Sequence, residues 1–371
     1  MPAVKLAENV YWVGATDWDI RVFHGYKVPF GTSYNAYLVL DKKVTLIDTV
    51  KAPFVQTLID NISELVDPAK IDYLISNHAE PDHSGSLPRM AEIAKNAPVI
   101  ADATDQKTLK TYYKRDFNFQ TVSTGSQLNT GSYDFKFLQA PMVHWPDSMF
   151  TYLPQHRILF PNDAFGQHQA TQLRFDDEVG REVTLARAKD YYANIVLPFG
   201  PQVQKALKDA SAFDIGMIAP SHGVVWRSFV GDIVEKYQGW SSGKVDEKLA
   251  VIVYDSMWGT TAELARQIAA DFAAQGIVSR LLSLTEYHVS ECMDALMEAK
   301  YIAVGSPTLN RNLMPTVAGF LADFKGLAPK KRTGIAFGSY GWSGESVGII
   351  ERTLQESGLE LLPSRKAQYR I

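Results

Sequence analysis

The sequence predicts an α/β protein in two parts: a layered αβ domain over residues 1–245 and a doubly wound parallel sheet over residues 249–371. Three observations predict it. In the first part short β-like runs follow one another directly, with helical runs interspersed, so its sheets are largely antiparallel or mixed. The segment WSSGKVDEK (240–248) is small, polar and charged, and reads as a linker. Beyond it strand-like and helix-like runs alternate, the pattern of a parallel sheet that binds ligands at the carboxyl ends of its strands.

In the first part the β-like runs are YNAYLVL (34–40), VTLIDTV (44–50), IDYLISN (71–77), APVIAD (97–102), YDFKFLQA (133–140) and RILFPND (157–163), with PFVQTLIDNISELV and VTLARAKDYYANIV as helices. In the second part LAVIVYDS (249–256) is an apolar run ending in turn residues. Leu264, Ala265, Ile268, Ala269 and Phe272 then recur at helical spacing, and Gly276 stops the helix. VSRLLSL, a short helix, YIAVGSP, another helix, TGIAFGS and VGIIERTLQES complete the alternation.

Bulk composition excludes several classes. The 371 residues suffice for two or three domains, and 46% hydrophobic with 21% charged residues is an ordinary globular balance. A net charge of −4 gives no basis for a nucleic-acid groove or an anionic membrane surface. The N-terminus lacks the charged and apolar regions of a secretory signal, and no run reaches the ~18 apolar residues of a membrane span. A cytoplasmic protein with no nucleic-acid or membrane partner is expected. The single cysteine, Cys292, allows no internal disulfide, and no thiolate zinc, iron–sulfur or rubredoxin-type centre from this chain alone. It is expected to be an inert core or helix residue.

The densest chemistry lies in NHAEPDHSG (77–85), where His78, Glu80, Asp82 and His83 fall within six positions. At a strand end alternate residues point the same way, so His78, Glu80 and Asp82 can converge on one pocket while His83 faces a second metal. A lone H-x-E is usually a polar loop with satisfied side chains; a dense set at a strand end favours a metal site. Three further polar residues stand where apolar runs give out: His144 in APMVHWPDSM, Asp163 in RILFPNDAFGQH and His222 in FDIGMIAPSHGVVW. Each alone is equally well a cap or a hydrogen-bonded residue, but their shared position argues for a common site. Imidazoles and carboxylates without sulfur suit iron, manganese or zinc. A carboxylate at Glu80 where a histidine might stand adds negative charge, which favours hard, higher-valent ions.

The order H-x-E-x-D-H, then His, then Asp, then His resembles the metallo-β-lactamase fold, and the glutamate at its second position is similar to one branch, the flavodiiron proteins. Surrounding stretches resemble them too: DWDIRVFHGY, NAYL, HWPDSM, NDAFGQH, YYANI and SHGVVW. The resemblance covers nearly the whole chain and implies a metallo-β-lactamase-like αββα domain over 1–245. It also implies one iron held by His78, Glu80 and His144, another by Asp82, His83 and His222, and Asp163 bridging the two. His24, in RVFHGY, and Tyr192, in YYANI, are implied as outer-shell proton donors. His156, His168 and His288 are read as surface or structural residues.

In the second part LAVIVYDS runs into Ser256, Met257, Trp258, Gly259, Thr260 and Thr261 and then a helix. Backbone N–H groups at a helix start, with hydroxyls from Ser256, Thr260 and Thr261, suit a phosphate. No lysine is present, so this is no triphosphate loop, and a monophosphate fits better. A Ser/Thr helix cap is the plain alternative. Two later loops end the next strands: GSPTLNRN (305–312), with Ser306, Pro307, Thr308 and Asn310, and FGSYGWSGE (337–345), with Ser339, Tyr340, Gly341, Trp342, Ser343 and Gly344. Both can present amides to a flat ring edge, while Trp258, Tyr340 and Trp342 offer planar surfaces or serve as packing. The three loops resemble those of short-chain flavodoxins, which implies FMN and a flavodoxin-like domain over 249–371. LELLP is expected to be its fifth strand, with only SRKAQYRI after it, so the final helix is expected to be missing and one sheet edge under-covered.

The resemblance implies an FMN-dependent diiron oxidoreductase that reduces O2 to water or NO to N2O with electrons from rubredoxin or a similar small donor. It also implies a head-to-tail homodimer or a dimer of dimers. The rival reading is a metal hydrolase working through a metal-activated hydroxide, which leaves the flavin loops idle. A simple electron carrier leaves the seven-ligand set idle.

Overall fold

A computed structural model describes residues 2–369, in two compact units. The first holds Val28–Tyr191 and Pro201–Gln238 together with the N-terminal stretch up to Phe23. The second begins at Gly239 and also takes His24–Lys27 and Tyr192–Gly200. The expected linker is largely absorbed into regular structure. The helix Val230–Ser241 takes its start, the strand Asp246–Tyr254 takes its end, and only residues 242–245 connect them.

The first unit is a pair of sheets. The larger runs in the order Val4–Ala7, Val10–Trp12, Tyr37–Val39, Val44–Ile47, Ile71–Ile75, Val99–Ala101, Phe119–Thr121. Its first four strands are antiparallel, and the pairings from Val44–Ile47 onward are parallel. The smaller sheet runs Gln127–Asn129, Asp134–Gln139, Met149–Leu153, Ile158–Phe160, Met217–Ile218. Strand alternation divides the apolar side chains between two cores. Leu46, Leu74 and Val99 join Leu58, Ile62, Leu87, Met90 and Leu109 of the helices on one face. Their sequence neighbours Ile47, Ile75 and Ile100 join Phe135, Phe137, Met149, Leu153 and Phe160 between the sheets. Burial on both faces explains why these strands read as continuous apolar runs.

The second unit is a parallel sheet in the order Val278–Ser283, Asp246–Tyr254, Ala299–Pro307, Thr333–Tyr340, with Glu360–Leu361 and Arg365–Gln368 both beside Thr333–Tyr340. The fifth strand therefore departs from expectation: LELLP supplies only its first half, and the residues read as a tail supply the rest. The Leu362 N–H still donates to the Gly334 carbonyl at 2.9 Å, and regular pairing resumes at Arg365 with one extra residue on this strand, a local bulge. Arg365 and Lys366 are charges suited to a sheet edge. One face packs on the helices Val289–Leu296, Pro315–Leu327 and Glu345–Glu356. The other carries the helix Thr260–Ala274 through Leu264, Ile268 and Phe272. A groove of about 310 Å³ lies between Ile268 and Phe272 on one side and Ile335 and Leu362 on the other. No helix among the described residues is long and apolar enough to cross a membrane.

Candidate metal centre

The strand Ile71–Ile75 ends before the motif, and its last turns are held by a buried network. Asp48 accepts from Asn77 N at 2.7 Å and Asn77 Nδ2 at 3.0 Å, while Thr151 donates to Asn77 Oδ1 at 2.7 Å. Pro81 then opens a one-turn helix, Pro81–Ser84, with Glu80 as its N-cap. Proline suits that first helical position because its missing N–H would have no partner there. The Ser84 hydroxyl donates to the Ala79 carbonyl at 2.6 Å, and the Thr49 N–H and hydroxyl both donate to the His83 carbonyl.

That helix changes the expected geometry. Alternation along a strand would send His78, Glu80 and Asp82 into one pocket, but Asp82 lies on a helical turn beside His83. The structure gathers His78, Glu80, His144 and Asp163 into one group and Asp82, His83 and His222 into another, the donor atoms of each lying within 4.8 Å of one another. Asp163 reaches both. Its Oδ2 is 3.1 Å from His144 Nε2 and 3.7 Å from His78 Nε2, while its Oδ1 is 3.0 Å from His83 Nε2 and 3.3 Å from His222 Nε2. Glu80 Oε2 is 3.2 Å from His78 Nε2 and 3.5 Å from His144 Nε2; Asp82 Oδ2 is 3.3 Å from His83 Nε2 and 3.2 Å from His222 Nε2.

The fit to metal ions rests on what these atoms lack. Both Asp82 oxygens, His83 Nε2 and His222 Nε2 are buried without a hydrogen bond of acceptable geometry, although opposite partners stand close by. Buried polar atoms are normally hydrogen-bonded, so convergent, unsatisfied N and O donors are the arrangement a cation completes. The electrostatics point the same way. Burial works against charge on His144 and His222, yet Asp163 with Glu80 or Asp82 raises them to about 9 and about 10. Burial opposes charge on Asp163 too, and the surrounding histidines hold it well below the usual carboxylate range. The cluster is a strong cation trap that takes protons or metal.

Outer contacts aim the ligands. His78 Nδ1 is 2.8 Å from Asp147 Oδ2, which also accepts from Ala79 N at 2.7 Å. His222 Nδ1 donates to the Ser33 carbonyl at 2.8 Å, leaving Nε2 for the cluster. Asn35 secures the His222 loop by donating to the carbonyls of Pro220 at 2.7 Å and Gly223 at 3.0 Å. The rings of Phe23, Tyr34, Tyr191 and His168 surround His222, with centroids 4.8–6.1 Å away. His168, read from sequence as surface or structural, is buried here and its Nδ1 lies 2.7 Å from the Thr32 hydroxyl.

Of the two expected outer-shell residues, His24 is exposed in a tight turn and groups with the second unit. Tyr192 is buried there with its ring 5.2 Å from Trp240; the tyrosine beside His222 is the preceding one, Tyr191. Asp147, Ser33 and Asn35 escaped the sequence reading. HWPDSM and NAYL held the only signal for Asp147 and Asn35, and a backbone acceptor such as Ser33 has none.

In the second unit the three loops expected to bind the flavin end the adjacent strands Asp246–Tyr254, Ala299–Pro307 and Thr333–Tyr340. Not every hydroxyl faces a ligand. Thr261 and Ser339 are buried and bond each other at 2.7 Å, and Ser306 is buried with its hydroxyl bonded to the Pro307 carbonyl. The Thr261–Ser339 bond ties the first loop to the third, and the Ser306 bond is local to the second. Ser256 Oγ accepts from Ala262 N at 3.2 Å, a cap on the helix Thr260–Ala274. The cradle at its start remains: Gly259 has φ +81° with open space where a Cβ would stand. The orphan N–H groups of the first helical turn face such a space. A cleft of about 800 Å³ borders Trp258, Gly259, Thr260 and Tyr340, roomy enough for a mononucleotide. Trp258 and Trp342 are 72% and 74% exposed, so they are not core packing. Gly259→Val forces a β-branched residue into the left-handed region and fills the cradle. FMN affinity is expected to fall at least about tenfold, read as flavin content and fluorescence titration; unchanged flavin binding would remove the phosphate from this loop.

Comparison with known proteins agrees with this architecture. Residues 32–223 match the family described as ODP family beta lactamase, and residues 252–368 match Flavodoxin. A nitric oxide reductase of Moorella thermoacetica is 42% identical over 364 residues, covering 97% of this chain and 91% of that one. Among solved structures, the rubredoxin oxygen:oxidoreductase of Desulfovibrio gigas superposes with a TM-score of 0.97 at 38% identity, covering 100% of this chain and 94% of that one. The flavodiiron protein of Giardia intestinalis gives 0.95 at 35% identity, covering 100% and 92%.

Proposed function

The chain belongs to the flavodiiron proteins, and we propose that it is an FMN-dependent diiron oxidoreductase that reduces O2 to water or NO to N2O with electrons from a rubredoxin-type donor. The observation that carries this reading is Asp163, whose two oxygens each serve one of two sulfur-free donor groups. In this reading His78, Glu80 and His144 would hold one iron and Asp82, His83 and His222 the other, with Asp163 placed to serve both. When bound, two irons that share a carboxylate supply a site for a diatomic gas and electrons to reduce it, and FMN supplies the relay from the donor.

The protein's own part is orientation and exclusion. Asp147 and the Ser33 carbonyl fix the ring planes of His78 and His222. Phe23, Tyr34 and Tyr191 keep water from the His222 side. Glu80 supplies the negative charge that distinguishes iron redox chemistry from zinc hydrolysis. His24 and Tyr192 belong to the proposal as proton donors. Burial pushes the Tyr192 phenol well above its usual range, while His24 is exposed. Backbone amides around Gly259 would hold the FMN phosphate, with Trp258, Tyr340 and Trp342 available to its ring. Because the flavin and metal sites lie on separate units, head-to-tail pairing of two subunits would set the flavin of one beside the irons of the other. A cytoplasmic location completes the reading.

The decisive experiment supplies anaerobically reduced protein, with full iron and FMN, with a rubredoxin system and either gas. Consumption of O2 or NO is expected; failure with both would sink the proposal. A colourless zinc protein without flavin would favour the hydrolase instead.

A further inference from the structure

Behind the His78 side of the metal centre stands a second carboxyl that none of the chemistry above uses. Asp105 lies in the first turn of the helix Ala103–Tyr113 and is 0% exposed. Neither of its oxygens makes a hydrogen bond of acceptable geometry. Its neighbour Asp102 takes the capping role, accepting from the N–H groups of Thr104 and Asp105 at 2.8 Å each, with Gln139 on its other oxygen at 3.0 Å. Asp105 is thus left without the donors that normally keep a buried carboxylate ionised.

The groups that bear on it are mostly acidic. Asp147, in the loop that follows Asp134–Gln139, opposes its charge electrostatically, with its own charge fixed by His78 Nδ1 and Ala79 N. Asp102 adds a second negative neighbour, and the Tyr113 phenol lies on the same helix. His78 is the one cationic partner, already engaged by Asp147, and the Ser76 hydroxyl favours the charged form from outside hydrogen-bond geometry. A helix start favours an adjacent carboxylate by less than about tenfold. Full burial disfavours the charged form more strongly. Burial therefore wins, reinforced by Asp147, and Asp105 is held well above the usual carboxylate range.

We propose that Asp105 is a neutral, proton-bearing carboxylic acid in the resting protein, a positioning residue that leaves Asp147 the principal negative charge behind the His78 imidazole. It acts through Asp147 and touches neither substrate nor metal. The role rests on the metal reading of His78, but the protonation state does not.

The sign of the pH dependence follows. The folded state keeps a proton on Asp105 that the unfolded chain releases near pH ~3.9. Stability is therefore lost as pH rises from there toward the folded pKa, and asparagine at this position loses none of it. The ratio of the wild-type unfolding constant to that of Asp105→Asn should grow about tenfold per pH unit across that window. Wild-type protein at pH 7 should also show the infrared carbonyl stretch of an un-ionised acid that Asp105→Asn abolishes, with iron content retained. A constant ratio above pH 5, or no acid band lost in the variant, would overturn the assignment. Should Asp105→Asn fail to fold, Asp147→Asn decides: removing the neighbouring charge must lower the pH at which the acid band disappears, and an unmoved band overturns the proposal. Both readouts are taken on the protein as purified, so failure of the iron assignment leaves them standing.

Discussion

Asp163→Ala is expected to cost the protein more than half of its bound iron and to lower O2 and NO consumption on the order of 10²-fold or more. Loss of an outer partner of a metal ligand already costs about 10–100-fold in affinity or activity. Asp163 is closer in: Oδ1 lies 3.0 Å from His83 Nε2 and Oδ2 lies 3.1 Å from His144 Nε2, so its removal damages both groups together. It also strips the four histidines of their shared counter-charge, because Asp163 raises His78, His83, His144 and His222. The check is iron per chain beside gas consumption by the reduced protein, with circular dichroism to verify the fold. Retention of two irons per chain would show that Asp163 does not bridge.

The second large effect is steric. A Cβ on Gly85 would lie 2.4 Å from the Pro81 carbonyl oxygen and 2.7 Å from Ala52 N. Both are backbone atoms, and neither can swing aside as a side chain would. Gly85 itself has ordinary helical angles and donates its N–H to that Pro81 carbonyl at 2.9 Å. The requirement is therefore space and not an unusual conformation. Gly85→Ala must displace the turn Pro81–Ser84, which carries Asp82 and His83. Overpacking of this kind costs about 1–3 kcal/mol, a fall in Tm of roughly 2–10 °C for a unit of this size. Iron should be lost mainly from the Asp82, His83 and His222 group, leaving about one iron per chain. A thermal scan with metal analysis tests this, and an unchanged Tm with full iron would show that the turn yields freely.

The two predictions differ in how far their residues could be read without a structure. Asp163 stands where the apolar run RILF gives out, a local signal that hydrophobic patterning exposes. The paired apolar cores likewise follow from alternation, because Ile47, Ile75 and Ile100 fall opposite Leu46, Leu74 and Val99 by strand period alone. Other features have no local signal. Strand alternation alone places Asp82 with His78 and Glu80, but Pro81 begins a helix within the motif, so Asp82 sides with His83, the grouping that the family resemblance implies. Tyr191 and Tyr192 are adjacent, and which one meets His222 depends on the wide helical turn Tyr192–Val196 that follows Tyr191. The polar second half of the fifth strand of the second unit, Arg365–Gln368, pairs with Phe337–Tyr340 and carries no apolar pattern of its own.

By itself the sequence determined the two-part α/β plan, the kinds of donor atom, their order along the chain and the three loops at the ends of parallel strands. These follow from periodicity and from side-chain chemistry, both local properties. The partition of the donors came only with the family resemblance and not from local pattern, and only the tertiary structure decided that Asp163 presents one oxygen to each group and that Asp147, the Ser33 carbonyl and Asn35 aim the rings. It also decided that Asp105 is sealed from water. Those facts depend on distances between residues far apart in the chain and on the summed burial and field of everything packed around them, which no short window of sequence contains.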